Sequence, residues 1–131
     1  MTMDLKLKTK DGCLNPEAFS VHAEKLAGDI FSEGGRSKNK SSQLRRFYDE
    51  FFKLNQRSAS YNDKEWEKVI LPQLHMLVPK VVYAQGRKLV TDKFVDFIKS
   101  LVFSVKTKQD FKIATDFFEA FIGFYRKYSD K

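Results

Sequence analysis

Seven basic side chains fall between Glu33 and Arg57 against three acidic ones, and the chemistry such residues perform is the gripping of phosphate. Arg36, Lys38, Lys40, Arg45, Arg46, Lys53 and Arg57 are offset by Glu33, Asp49 and Glu50, so this stretch holds much of the chain's net charge of +7. An arginine fork holds two phosphate oxygens at once, and a cluster of cations binding a polyanion gains entropy as counterions leave. Arg45 with Asp49 and Arg46 with Glu50 stand four apart, where helix neighbours can neutralise one another, but in the weaker basic-to-acidic order. Arg36, Lys38, Lys40 and Arg57 have no acidic residue four positions away, whereas Lys53 follows Asp49 by four. The expected surface is one for a polyanion such as nucleic acid.

Other chemistry is thinly supplied. The two histidines, His22 and His75, lie in no metal-ligand spacing, and Cys13 stands alone. His22 reads as a packed or half-exposed helix residue, and His75 is placed near Arg87 beside an interrupted segment. Gly34-Gly35 lacks the Gly-Lys-Ser/Thr that completes a phosphate loop. Carboxylates are spread along the chain, so a metal-dependent nuclease requires Asp92, Asp96 and Glu119 to converge. The expectation is therefore no catalytic residue, no metal and no cofactor. One cysteine excludes an internal disulfide, and no stretch approaches the ~20 apolar residues of a membrane span. A cytoplasmic protein with no membrane partner is expected.

The elements that must position the cations are helical. At 131 residues the chain is long enough for one domain with a real core, and thirteen phenylalanines predict that the core is aromatic. Residues 1–14 lack sustained periodicity and contain the turn signal Asp11-Gly12, so they read as a flexible basic arm, with a helical bundle over 15–131. Asn15-Pro16 predicts a helix start, and Phe19, His22, Ala23, Leu26 and Ile30 continue it to about Ser32. Gly34-Gly35 stops it before a loop, Arg36 to Lys40, that reads as flexible and basic. Ser41 or Ser42 opens a second helix with the apolar stripe Leu44, Phe47, Tyr48, Phe51 and Leu54; Arg45, Arg46, Asp49, Lys53 and Gln56 fall opposite. A third region, from Asn62 or Asp63 to Gly86, carries Trp66, Val69, Ile70, Leu74, Leu77 and Val81 and is interrupted by Pro72 and Pro79. A fourth helix begins at Thr91 or Asp92, and a last one runs from about Lys108 to Tyr128. Short connections and no hairpin signals predict an all-α bundle of about five helices. Phe117, Phe124 and Phe52 fall off the main core stripes, which suits either partner contact or a fully wrapped last helix.

Three segments carry a family resemblance. Ser41-Ser42-Gln43-Leu44-Arg45-Arg46-Phe47-Tyr48 resembles the small-residue, Gln-Leu-Arg-basic-Phe-Tyr helix start of the small subunit of type III-A CRISPR effector complexes, the Csm complexes. Leu74-His75-Met76-Leu77-Val78-Pro79-Lys80-Val81-Val82-Tyr83-Ala84-Gln85-Gly86-Arg87 is similar to that family's Leu-x-Pro-Lys-x-x-Tyr-Ala-x-Gly-Arg segment. Phe117 to Lys127 is similar to its C-terminal Glu-Ala-x-x-x-Tyr-x-Lys pattern, with Arg126 where His often stands and Gly123-Phe124 before the tyrosine. The first forty residues carry no such signature.

The resemblance implies a non-catalytic, RNA-binding subunit in antiviral defence. Several copies would form an inner filament beside the other subunits of the effector complex, lining the channel that holds the guide RNA paired with its target RNA. A complex that accepts any guide needs contacts to the sugar-phosphate backbone and not to bases. Arg45, Arg46 and Lys53, with Arg57, are expected to make rigid contacts from a helix; Lys38 and Lys40 make adaptable ones from the loop. Ser42 and Gln43 are neutral donors near the positive helix N-terminus. Arg87, with Lys80 and Lys88, forms a second cluster, and Arg126 is a further candidate. Phe117, Phe124 and Tyr128 of the last helix are the expected self-interface. A DNA-binding helical regulator is the alternative class, with the nuclease.

Overall fold

The computed structural model describes residues 3–129. Six α-helices are found there: α1 Val21–Gly34, α2 Ser41–Ser58, α3 Asp63–His75, α4 Leu77–Gly86, α5 Asp92–Ser104 and α6 Lys108–Ser129. The described residues contain no strand, so the fold is an all-α bundle. None of these helices is long and apolar enough to cross a membrane.

α6 is the spine. It lies against α1, α2 and α5, while α3 covers α2 and α4 packs on α5. Its pattern of Phe111, Ala114, Phe117, Phe118, Phe121, Ile122 and Tyr125 buries more than one stripe, because neighbours approach it from several sides. Several phenylalanine pairs meet edge to face, with Phe51 on Phe111 at 5.0 Å and Phe97 on Phe118 at 5.3 Å, an arrangement that the ring quadrupole favours. Trp66 adds a polar handle to this core. Its indole N–H donates to Ser58 Oγ at 2.9 Å, so nothing polar is stranded in that corner.

Where sequence spacing predicts one helix from Asn15 onward, the structure has a 3-10 turn, Pro16–Phe19, and then α1. Asn15 caps the turn, but Ser20 at φ −122° and ψ −74° leaves helical geometry. The bend turns Ala18 into the interior and sets the Phe19 ring edge-on against Phe117, 6.3 Å away. The third region divides at Met76 into α3 and α4. Pro72 lies inside α3, whereas Pro79 sits in the first turn of α4, where its missing N–H is tolerated.

The N-terminal segment lies on the bundle over the residues described. Leu5 is buried, the Met3 amide donates to Ser100 Oγ at 2.7 Å, and Lys8 pairs with Leu14 in an antiparallel bridge. Asn15 closes the loop by donating to the Leu7 and Lys6 carbonyls. Alternation of Leu5 and Leu7 with lysines is what lets one side pack while the charges stay in water.

The loop from Arg36 to Lys40, read from sequence as flexible, contains a fully buried anchor. Asn39 is 1 % exposed and adopts φ 55°, which Asn tolerates better than most residues. Its Nδ2 donates to the Ile30 carbonyl at 3.0 Å and to Thr91 Oγ1 at 2.8 Å, and its Oδ1 accepts from the Thr91 amide at 2.9 Å. Its own amide donates to the Leu89 carbonyl at 2.9 Å, and its carbonyl accepts from the Tyr125 hydroxyl. Gly34 makes room: a Cβ there would stand 2.8 Å from Asn39 Cβ.

Asn39→Ala strands the Thr91 amide and removes the bonds to the Ile30 carbonyl and the Thr91 hydroxyl, and chemical denaturation should show a loss of about 2–4 kcal/mol. Burial pushes the Tyr125 phenol from 10.0 up to about 12. The folded state therefore favours the protonated form. The associated stability is complete below pH 10.0 and is lost as pH rises toward about 12. Tyr125→Phe should cost about 1 kcal/mol at neutral pH, and its stability should fall less steeply than the wild type's across that alkaline window.

Candidate nucleic-acid interface

α2 presents Gln43, Arg46, Glu50, Lys53 and Arg57 at spacings of three and four, which places them along one flank of the helix. α4 presents Lys80, Tyr83 and Arg87 in the same way. The two flanks face each other across a recess of about 540 Å³, closed at its base by Phe47, Ala84 and Leu89. A second recess of about 380 Å³ continues toward Arg57 and Gln73 and shares Glu50, Lys53 and Lys80 with the first. Together they make one groove, with Arg46, Lys53, Arg57, Lys80 and Arg87 on its walls against Asp49 and Glu50.

Contacts inside the groove tie its walls together without filling it. Lys80 Nζ lies 3.0 Å from Glu50 Oε1, bridging α4 to α2. Arg57 Nη1 donates to Gln73 Oε1 at 3.1 Å, and Gln73 in turn donates to the Val69 carbonyl. The Arg87 guanidinium, at the C-terminal end of α4, stands 5.9 Å from the centroid of the Tyr83 ring. Most of these side chains are exposed, so their charges are available to a ligand in solvent.

Of the residues expected to bind RNA, the groove gathers Gln43, Arg46, Lys53, Arg57, Lys80 and Arg87. Arg45 lies on the other flank of α2, near Tyr48 and Glu119. Burial pushes the Tyr48 phenol up, Glu119 adds to the rise, and Arg45 opposes it. Lys38 lines a small recess with Glu33 and Asp92, beside carboxylates. Lys40 is the N-cap of α2, Ser42 is exposed in its first turn, and Lys88 follows α4 at φ 64°; none of the three lines the groove. Arg126 belongs to the last turn of α6, outside it. Sequence reasoning gave Tyr83 no role. Its place three residues after Lys80 and four before Arg87 is the signal that puts it on the same flank.

Of the C-terminal aromatics, Phe117 needs a correction. Phe117 is 1 % exposed, packed against Phe19 and Phe97, and cannot reach a partner. Phe124 is half-buried against the core, and Tyr128 stacks on Phe31 of α1 at 5.7 Å over the space left by Gly28. Tyr128 joins α6 to α1, and Phe117 joins it to the turn before α1 and to α5, because these elements cover the face that helical periodicity leaves outside the main stripe. Other candidate chemistry does not assemble. Among the described residues no group of three or more His, Cys, Asp and Glu side chains could hold a metal ion, and Asp92 accepts from Gln85. His75 packs on Phe103, outside the groove.

A small module that is all-helical over the described residues and carries a basic groove is the class that fold and surface define. The chain belongs to the Csm2 type III-A family, whose sequence model matches residues 14–131. It is accordingly the small subunit of a type III-A Csm complex, a structural component of a multi-subunit assembly. No curated protein and no solved structure matches it.

The Lys80–Glu50 pair is about half exposed on both sides, with side-chain accessibilities of 52 % and 48 %. Exposed pairs of this kind contribute ~0–1 kcal/mol. Lys80→Ala should leave the thermal midpoint nearly unchanged by calorimetry, so that groove charges can be removed without unfolding the bundle.

Proposed function

We propose that the chain is a non-catalytic RNA-binding subunit whose groove between α2 and α4 holds the sugar-phosphate backbone of the guide RNA and target RNA. The observation that carries this reading is the convergence of Arg46, Lys53 and Arg57 with Lys80 and Arg87, two clusters separated in sequence, onto one groove. Helices hold these cations at fixed spacing, and Arg and Lys contacts to phosphates accept any sequence. Gln43, in the first turn of α2, adds a neutral donor beside the positive helix end. Copies of the subunit stack as an inner filament through surfaces outside the groove, with Phe117 already buried against Phe19 and Phe97 and Tyr128 stacked on Phe31 of α1. The cytoplasm is where such a complex would meet its RNA.

Filter binding of unrelated single-stranded RNAs across a salt series tests the proposal. Arg46→Ala and Lys53→Ala should each weaken binding equally for all sequences and flatten the dependence of log affinity on log salt by ~0.7. Arg45→Ala, off the groove, should have a smaller effect. A change in sequence preference, or equal losses at Arg45 and Arg46, would sink the groove assignment.

A further inference from the structure

The recess between α2 and α4 offers more than charge. Its base is apolar, made by Phe47 at 8 % exposure with Ala84 and Leu89, and its volume of about 540 Å³ is that of a small-ligand cleft. On its wall Tyr83 is 67 % exposed, more than any of the other exposed large hydrophobic side chains described. The fold gains little from a ring so placed. Arg87 lies at the outer edge of cation–π range, 5.9 Å from the ring centroid, and both groups remain in solvent. Phosphate contacts alone require no aromatic ring, and a ring held among Arg46, Lys53 and Arg87 is the pairing of chemistries that a single nucleotide satisfies: a flat apolar face for the base and cations for its phosphates.

We infer that Tyr83 is a stacking platform for one unpaired base of the bound RNA, while Arg87 and Arg46 take the flanking phosphates. The inference rests on the groove being the RNA-binding surface. Every base has a π-face, so a tyrosine platform adds affinity without reading sequence. It does discriminate conformation. In an unbroken duplex both faces of each interior base are occupied by neighbours, so Tyr83 selects a single strand or a point at which a base leaves the stack.

The test uses the full-length chain, then the assembled effector complex. Each is titrated with single-stranded RNA carrying 2-aminopurine at successive positions, and with an unbroken duplex of the same sequence. Tyr83→Ala should weaken single-strand binding roughly 5- to 150-fold, abolish quenching of the fluorescent base and leave the salt slope unchanged. Tyr83→Trp should retain affinity and quenching, and duplex affinity should be the same for wild type and Tyr83→Ala. Because Tyr83 is exposed, these variants should keep the wild-type thermal midpoint. If Tyr83→Ala or Tyr83→Leu binds and quenches like wild type while Arg46→Ala still flattens the salt slope, stacking is overturned and the backbone reading stands. If neither the Tyr83 nor the Arg46 variants alter binding, both are overturned.

Discussion

One buried asparagine joins stretches of chain that lie far apart in sequence. Through its side chain Asn39 holds the carbonyl end of α1 at Ile30 and the start of α5 at Thr91; through its backbone it holds Leu89 and the hydroxyl of Tyr125 on α6. Net worth per neutral hydrogen bond is only ~0.5–1.5 kcal/mol, but each of these groups is buried and would cost more if left unpaired. The hub also sets the groove. Lys40, the next residue, is the N-cap of α2, and Leu89 closes the groove beyond the end of α4, so one residue fixes where both walls meet.

The second constraint is the break at Met76. Without it α3 and α4 would be one rod, committed to a single set of neighbours. With it, α3 packs along α2 and α4 turns to pack on α5 while still presenting Lys80, Tyr83 and Arg87 toward α2. Pro72 and Pro79 fit this division, because a helix interior loses a hydrogen bond to proline and a first turn does not. A connection as short as one residue keeps the two walls in register.

Stability and surface chemistry are drawn from different residues. The core is aromatic and closes through edge-to-face and tilted ring contacts around α6, and the buried side-chain polar atoms all have partners among the described residues. The groove cations sit outside that core. Phe47 belongs to both, since it packs edge-on against Phe94 and also forms the base of the groove.

Helical spacing and turn chemistry are local properties, and the sequence by itself determined them: the helices, the stop at Gly34-Gly35, the division near the prolines, the excess of cations around α2 and the family motifs. It also placed most of the core, since Leu44, Phe51, Trp66, Ile70, Phe97 and Phe118 follow from period 3.6. Tertiary structure decided which of the charges meet. Arg45 and Arg46 are adjacent in sequence, yet about 100° of rotation separates them and only the neighbour α4 makes one of them a groove residue. It likewise buried Phe117 by bringing α1 and the turn before it onto α6, and turned a polar loop residue, Asn39, into the centre of the fold. None of these is visible in the sequence, because burial off the main stripe and convergence across a groove depend on which second element covers a helix, and periodicity within one element carries no record of its neighbours.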